Sequence, residues 1–125
     1  RLIDNLTSAG VPLGDIYLDP LTFPIGTGSD VAVAMLDILE KIRTEYPEVH
    51  IIAGLSNISH GMPVRKLLNQ AMTVLSMGKG LDAGIVDPND RYLMALIAAT
   101  ESLLGCDEYC MNYISLSREG RFEGI

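Results

Sequence analysis

The sequence predicts an α/β protein in which short parallel strands alternate with amphipathic helices. Three short apolar runs each precede a longer segment whose apolar residues recur at helical spacing. The runs are almost continuously apolar, as expected for strands of a parallel sheet that helices cover on both faces. They end at Asp19, Gly54 and Asp87, which lie 35 residues (19 to 54) and 33 residues (54 to 87) apart. A (β/α)8 barrel has about 31 residues per unit and a doubly wound sheet has similar spacing, so the period leaves both architectures open.

The first part of the chain predicts the end of a helix, then a strand and a loop. Residues 1–9 form the helix end, which Gly10 and Pro12 stop. Residues 16–18 form the first strand. Residues 21–28 contain two glycines and a proline, which is typical of a loop.

The second predicted helix starts after Ser29 or Asp30, since either side chain can cap its first turn. Pro47 ends this helix, and residues 49–53 form the second strand. The apolar positions that follow helical spacing are Val31, Met35, Ile38, Leu39, Ile42 and Tyr46.

A polar segment flanked by glycines, residues 54–61, follows the second strand. Pro63 suits the first turn of the next helix, and Gly78 and Gly80 end that helix. Its apolar stripe consists of Val64, Leu67, Leu68, Ala71, Val74 and Leu75.

Residues 83–86 form the third strand, which leads into Asp87 and Pro88. Asp87 is suited to cap a helix at 89–104, with Pro88 in its first turn. A last helix at 107–116 and a loose tail beyond Ser117 complete the chain. We therefore predict that residues 1–125 belong to one domain, with three strand–helix units and a terminal helix.

The charge balance argues against nucleic-acid and membrane partners. Sixteen Asp and Glu outweigh nine Lys and Arg, for a net charge of −7, whereas binding to phosphates needs concentrated basic charge. No apolar run approaches the roughly 20 residues that span a bilayer. The first residues also lack the apolar core of a signal peptide.

The two cysteines predict neither a disulfide framework nor a metal centre. A chain with only Cys106 and Cys110 fits a reducing, cytoplasmic environment. Because they are four residues apart, we expect them to share a helix face as reduced, partly buried thiols. Two thiols alone do not complete a tetrahedral zinc site. The glycine patterns of dinucleotide-binding proteins, P-loop proteins and serine hydrolases are also missing.

Polar residues follow all three predicted strands, among them Asp19, Asn57 and Asp87. The carboxyl ends of parallel strands meet at one edge, where ligands bind in both barrels and open sheets. A carboxylate accepts hydrogen bonds from ring N–H or amino groups, and an amide both donates and accepts. The set therefore suits a heterocycle with amide-like edges, such as a pterin or a purine.

Each of these residues also has a structural interpretation. Asp19 can hold a turn, and Asn57 can form an Asx turn within its own loop. His60 can be an ordinary exposed loop histidine. Arg65 at a helix start is unfavourable for the helix dipole, which indicates an anionic partner unless the side chain is simply solvated.

The sequence resembles the methyltetrahydrofolate:corrinoid/iron-sulfur protein methyltransferases. The resemblance is carried by residues 54–60 (Gly-Leu-Ser-Asn-Ile-Ser-His), by Pro63, Arg65 and residues 68–69, and by residues 80–88. Residues 17–21 (Tyr-Leu-Asp-Pro-Leu) match the same family, so nearly the whole chain is covered. The folate domain of methionine synthase carries a related version of the Gly-Leu-Ser-Asn-Ile-Ser block.

This resemblance implies a pterin-binding (β/α)8 TIM barrel about twice as long as this chain. The three strands would be the last three of the barrel, and the chain, which begins with Arg1, would be its C-terminal half. Asp19 and Asn57 would hydrogen-bond the pterin ring, with Asn57 beside N5. Gly54 and Ser56 would line the pocket. His60 takes a position that is often Gln or Phe in relatives and would contact the pterin tail.

The function that the resemblance implies is methyl transfer between N5 of tetrahydrofolate and the cobalt of a corrinoid carried by a partner protein. A dihydropteroate synthase-like pterin enzyme is a second reading, although the motifs of that family do not follow the first and third strands. A third is a catalytically incomplete half-barrel without pterin. Because its strand edges would be unpaired, we expect the isolated chain to self-associate into a homo-oligomer.

Overall fold

The computed structural model describes residues 1–125 and has the predicted alternation of strands and helices. Its strands form one parallel sheet in the order β1-β2-β3. The helices and strands are α1 (Leu2–Ser8), β1 (Tyr17–Leu18), α2 (Val31–Glu45), β2 (His50–Gly54), α3 (Arg65–Gly78), β3 (Ala83–Ile85), α4 (Arg91–Leu103) and α5 (Met111–Arg118). The predicted parallel α/β arrangement is therefore confirmed, and the strand ends shift by about one residue, as is usual for element boundaries. No helix is both long and apolar enough to cross a bilayer.

The register of the strands brings their carboxyl ends to one edge in a staggered line. Leu18, the last residue of β1, pairs with Ile51 in β2. Gly54, the last residue of β2, pairs with Ile85 in β3. The loops that follow β1, β2 and β3 consequently leave the sheet on the same side, which is where parallel α/β folds bind ligands.

The main core lies on one face of the sheet. Side chains alternate between the two faces of a strand, and Ile51 and Ala53 of β2 are fully buried on this face. They pack against helix residues from α2 and α3. The cluster consists of Met35, Leu39, Ile51, Ala53, Leu55, Ile58, Met72 and Leu81.

The opposite face of the sheet is largely bare. Tyr17 of β1 is 58% exposed and Ile85 of β3 is 65% exposed. The Tyr17 ring stacks on the His50 ring with centroids 4.5 Å apart. A parallel sheet is normally covered on both faces. In this chain no element covers the face that carries Tyr17 and Ile85.

A smaller cluster supports the amino-terminal ends of the strands. Ile3 of α1 packs against Ile16 and Val49, which come just before β1 and β2. The His50 N–H donates to the Ile16 carbonyl at 2.9 Å, so Ile16 contributes to the sheet although it lies outside β1. This cluster explains why α1, which has only seven residues, is placed on the sheet.

The predicted starts of α2 and α3 need correction. Asp30 is the residue before α2, but its side chain makes no capping hydrogen bond. Helix α3 begins at Arg65, so Pro63 is not in its first turn. The reason is Val64, whose left-handed backbone (φ 51°, ψ 51°) is incompatible with an α-helix and postpones its start.

The predicted cap of α4 is also wrong, because Asp90 caps this helix and Asp87 does not. The Asp87 carboxylate accepts instead from the N–H of Asn89 at 2.9 Å, which closes a turn after β3. The Asp90 carboxylate accepts from the Leu93 N–H at 3.1 Å. The Gln70 amide also donates to Asp90, which links α4 to α3.

The cysteines do not share a helix face, because the predicted last helix is broken. A 3-10 turn at Glu108–Cys110 precedes α5, and Tyr109 and Cys110 have positive φ values. Cys106 lies before this turn and Cys110 at its end, and both thiols are exposed rather than partly buried.

The tail beyond Ser117 is not loose as predicted. The Arg91 guanidinium donates to the Glu123 carbonyl at 2.7 Å. The Phe122 ring packs on Tyr113 with centroids 4.9 Å apart. An arginine of α4 and an aromatic pair therefore hold the tail against the rest of the chain. Arg91 and Glu123 are too far apart in the sequence for a local pattern to predict their contact.

Candidate functional site

The loop after β2 has two exposed polar side chains between residues that are buried. The strand continues directly into a 3-10 helix, Leu55–Ser59. Leu55 and Ile58 are each only 2% exposed, and Ser59 is fully buried. Ser56 and Asn57, between these anchors, are exposed. The alternation of apolar and polar residues thus fixes the backbone while leaving the two polar side chains free.

Asn57 presents an unengaged amide at the carboxyl end of the sheet. Its side chain is exposed and makes no hydrogen bond with the rest of the chain. The loop is closed by backbone instead, since the His60 N–H donates to the Asn57 carbonyl at 3.2 Å. The Asx-turn interpretation therefore does not apply, and the amide is available both to donate and to accept.

Gly54 leaves open space beside this loop. A Cβ atom built on Gly54 would meet no atom within 4 Å. Its φ of −84° is one that any residue can adopt, so backbone conformation does not require glycine. The absence of a side chain therefore only keeps the surface at the end of β2 clear.

Asp19 combines the two roles that the sequence left open. One carboxylate oxygen accepts from the Leu21 N–H at 2.8 Å and closes the turn after β1. The side chain is exposed, and its second oxygen has no partner in the chain. Leu21 has a positive φ of 66°, so this turn holds a strained non-glycine residue. Asp19 is thus oriented by its own loop while keeping an acceptor free.

Asp87 repeats the arrangement of Asp19 at the end of β3. In both turns a carboxylate oxygen accepts from the N–H two residues further on. The loop that bears Asn57 lies between them, because β2 is the central strand. The structure therefore places two carboxylates and an amide along one edge of the sheet.

Ser56 and His60 lie near the two ends of the 3-10 helix after β2. Both side chains are exposed, and neither makes a side-chain hydrogen bond. The Ser56 carbonyl, by contrast, accepts from the Arg65 guanidinium at 2.9 Å. His60 directly follows the 3-10 helix and is the first residue beyond the anchored segment.

Arg65 was interpreted from the sequence as a possible anion ligand, but its partners in the chain are neutral. Its Nη2 donates to the Ser56 carbonyl and its Nε to the Ser59 hydroxyl at 3.0 Å. The Ser59 hydroxyl in turn donates to Asn69 Oδ1 at 2.6 Å. The unfavourable position of Arg65 at a helix start was the signal for this network, but the sequence did not identify its partners.

A charged cluster at the opposite edge of the sheet was missed by sequence reasoning. Asp82, just before β3, accepts from the Ile51 N–H and from His50 Nδ1, both at 2.7 Å. Arg43 lies 3.4 Å from the same carboxylate and also donates to the Gly80 carbonyl at 2.8 Å. Charged groups at the amino-terminal edge of strands typically stabilise the fold, so this cluster is not part of the candidate site.

An apolar cavity near β3 is lined by none of the candidate residues. Its volume is about 480 Å³, and it separates β3 from α3 and α4. Its walls are mainly apolar, with Leu55, Val86 and Ile97 among them and Cys106 at one side. No group of three or more His, Cys, Asp or Glu side chains is arranged to hold a metal ion.

The sequence of the chain matches a known family of enzymes. The family of pterin binding enzymes matches residues 2–87, a segment that includes all three strands and every candidate site residue. The chain belongs to this family. Residues 88–125, with α4 and α5, lie outside the matched segment of the pterin-binding domain.

The relatives of this chain include a methyltransferase and two methionine synthases. A methylcorrinoid:tetrahydrofolate methyltransferase of Eubacterium limosum is 42% identical over 106 residues, which is 85% of this chain and 39% of that protein. The methionine synthases of Mycobacterium leprae and Mycobacterium tuberculosis are 36% and 33% identical over 93 residues, 69% of this chain and 8% of each. The family resemblance is therefore confirmed, and the chain spans well under half the length of these relatives.

Proposed function

We propose that the protein to which this chain belongs transfers a methyl group between N5 of tetrahydrofolate and the cobalt of a corrinoid protein. The family match and the similarity to a methylcorrinoid:tetrahydrofolate methyltransferase support the substrate class. The observation that carries the proposal is the unengaged Asn57 amide on a rigid loop at the carboxyl end of the sheet. A free amide held on a buried base is suited to a polar heterocycle.

Asn57 is assigned the catalytic hydrogen bond to the pterin. A methyl group on N5 is a poor electrophile until N5 gains a proton or a strong hydrogen bond, because N5 must leave with the electron pair of the bond that breaks. A neutral amide held in place before the reaction can stabilise the charge that changes at N5 in the transition state. The anchoring of the loop by Leu55 and Ile58 lowers the backbone part of the cost of ordering that amide during the reaction.

Asp19 is assigned a supporting contact to the pterin ring, and three neighbours line the pocket. Its free carboxylate oxygen is an acceptor for a ring N–H or amino group. Gly54 and Ser56 bound the open surface beside the ring. His60, at the outer end of the loop, contacts the tail of the substrate.

The corrinoid belongs to a partner protein, and its cobalt supplies the methyl-exchange chemistry. The residues of this chain bind and orient the folate and hold the hydrogen bond to N5.

We further propose that residues 1–125 are the C-terminal part of a (β/α)8 barrel. The support is the parallel order of the strands, their spacing and the bare face that carries Tyr17 and Ile85. In a barrel that face would be the packed interior. The remaining strands and the remaining pterin contacts would then come from a longer protein.

The test of the proposed function is Asn57→Ala in that protein. The variant should slow single-turnover methyl transfer by about 10²–10³-fold, as for loss of one preorganised donor. Asn5→Ala is the matched control, because Asn5 is an exposed asparagine on α1, away from the strand ends. Transfer at the wild-type rate in Asn57→Ala would contradict the assignment, and no transfer by the wild type would contradict the function.

A further inference from the structure

The Arg65 side chain ties the loop with Asn57 to the helix that follows it. Its Nη2 donates to the Ser56 carbonyl at 2.9 Å, and its Nε donates to the Ser59 hydroxyl at 3.0 Å. The guanidinium thus contacts both flanks of Asn57. A planar, forked donor can make two such bonds at once, which a lysine ammonium does less well.

The Ser56 carbonyl that Arg65 holds is part of the peptide plane joined to Asn57. A peptide group is rigid and planar, so a hydrogen bond to the carbonyl oxygen restrains the orientation of the following N–H. The Asn57 side chain is attached to the Cα atom that directly follows this N–H. Arg65 therefore acts on the direction of Asn57 without touching it.

The second flank of Asn57 is held in the core. The Ser59 hydroxyl is fully buried and donates to Asn69 Oδ1 at 2.6 Å while it accepts from Arg65. Asn69 lies on α3, one turn beyond Arg65. The loop is consequently fixed to α3 at two points by one chain of hydrogen bonds.

The backbone before Arg65 is strained in a way that fits this role. Val64 has φ 51° and ψ 51° and is 72% exposed. A β-branched residue rarely adopts this left-handed conformation, and such strain persists where the surroundings impose it. A positive side chain at a helix start is unfavourable as well. The strained backbone of Val64 and the positive charge at the helix start therefore occur together where the Arg65 side chain contacts the loop.

We propose that Arg65, through Ser56 and Ser59, is a positioning residue that sets the orientation of the Asn57 amide for methyl transfer. This inference rests on the proposed function of Asn57. It predicts that loss of Arg65 weakens the transition-state hydrogen bond more than it weakens folate binding. The loss should therefore lie mainly in kcat, with KM for the folate little changed.

The test is a double-mutant cycle in the protein that carries this chain. Arg65→Ala should lower kcat by about 10- to 100-fold, since a small misplacement of a reacting group can cost that much. In the Asn57→Ala background the same substitution should have little further effect, because Arg65 acts through Asn57. Lys66→Ala is the matched control: Lys66 is the adjacent exposed cation and has no partner in the loop.

A second measurement tests directly whether Arg65 stabilises the loop. Hydrogen exchange of residues 55–59 should rise in Arg65→Ala and stay unchanged in Lys66→Ala, whether or not the protein transfers methyl groups. If Arg65→Ala does not fold, Arg65→Lys serves in the same cycle and should lose about threefold or more in kcat, because one ammonium cannot replace both bonds.

The outcomes separate the inference from the function on which it rests. If Asn57→Ala slows transfer but Arg65→Ala behaves like Lys66→Ala, or its effect adds fully to that of Asn57→Ala, the positioning role is wrong. Full activity of Arg65→Lys with unchanged loop exchange would overturn it too. If Asn57→Ala has no effect on transfer, the proposed function of Asn57 itself fails.

Discussion

Gly80 shows how a single residue can be required by a close approach of another side chain. A Cβ atom on Gly80 would lie 2.8 Å from Cγ of Arg43, and its φ is 110°. The Arg43 side chain is fixed there by bonds to the Gly80 and Val49 carbonyls, both at 2.8 Å. The position therefore excludes a side chain on both steric and backbone grounds.

We expect Gly80→Ala to lower the free energy of unfolding by about 2–3 kcal/mol, from backbone strain and the clash together. Gly10→Ala is the control, because Gly10 also has a positive φ but no atom lies within 4 Å of a Cβ there. It should lose only about 1 kcal/mol, the backbone part. Urea unfolding of both variants measures the difference. Equal losses would show that the contact with Arg43 is unimportant.

The candidate site residues could each be recognised from the sequence, but the sequence did not show which of their side chains are hydrogen-bonded within the chain and which are free. Asp19 and Asn57 stood out as polar residues after apolar runs. That Asp19 closes a turn with one oxygen, while Asn57 remains free, depends on loop geometry that the spacing of residues does not encode. The hydrogen bonds of Arg65 could not be predicted for the same reason, because both of their acceptors lie in the preceding loop.

At the scale of elements, α5 shows how one carboxylate can organise a helix start across a kink. The carboxylate of Asp107 accepts from the Asn112 and Tyr113 N–H groups, each at 2.9 Å. These backbone bonds lower the pKa of Asp107, and the Ser102 hydroxyl lowers it further. The left-handed residues Tyr109 and Cys110 bring the chain back over this side chain.

The start of α5 should therefore weaken in acid. Because the folded pKa of Asp107 is depressed, its contribution is complete above the unfolded value of about 3.9 and is lost as the pH falls through the lower folded value. NMR chemical shifts of residues 111–113 should report a loss of helix in that range. In Asp107→Asn the acid step should vanish, whereas Asp37→Asn, an exposed control on α2, should retain it. A step that survives Asp107→Asn would exclude this cap as its cause.

At the scale of the whole molecule, the sheet has two unpaired edges and one bare face. The outer strands β1 and β3 each have one neighbour. Tyr17 and Ile85 on the bare face are more than half exposed. Unpaired edges and apolar faces favour association with another chain.

We expect the isolated 125-residue chain to form dimers or larger assemblies in sedimentation velocity experiments. Ile85→Lys should weaken the association by placing a charge on the bare face of an edge strand. Leu103→Lys is the control, because Leu103 is 87% exposed at the end of α4, away from that face. A monomer with a cooperative melt would contradict the prediction.

The sequence by itself determined the order of the elements, the parallel class and the family. Helical periodicity, nearly continuous apolar strands and residues such as Gly10 and Pro47 are local signals, and each reflects the conformation of a few neighbouring residues. The block that includes Asn57 identified the pterin-binding family because it is compact in sequence.

The tertiary structure alone decided which groups are free and which are engaged. It placed Asp82 on the Ile51 N–H, moved the cap of α4 from Asp87 to Asp90 and folded the tail onto Arg91. It also left one face of the sheet uncovered. Such contacts join segments far apart in the chain or depend on a single left-handed residue such as Val64. Their free energies are decided by packing and geometry, which local sequence patterns do not contain.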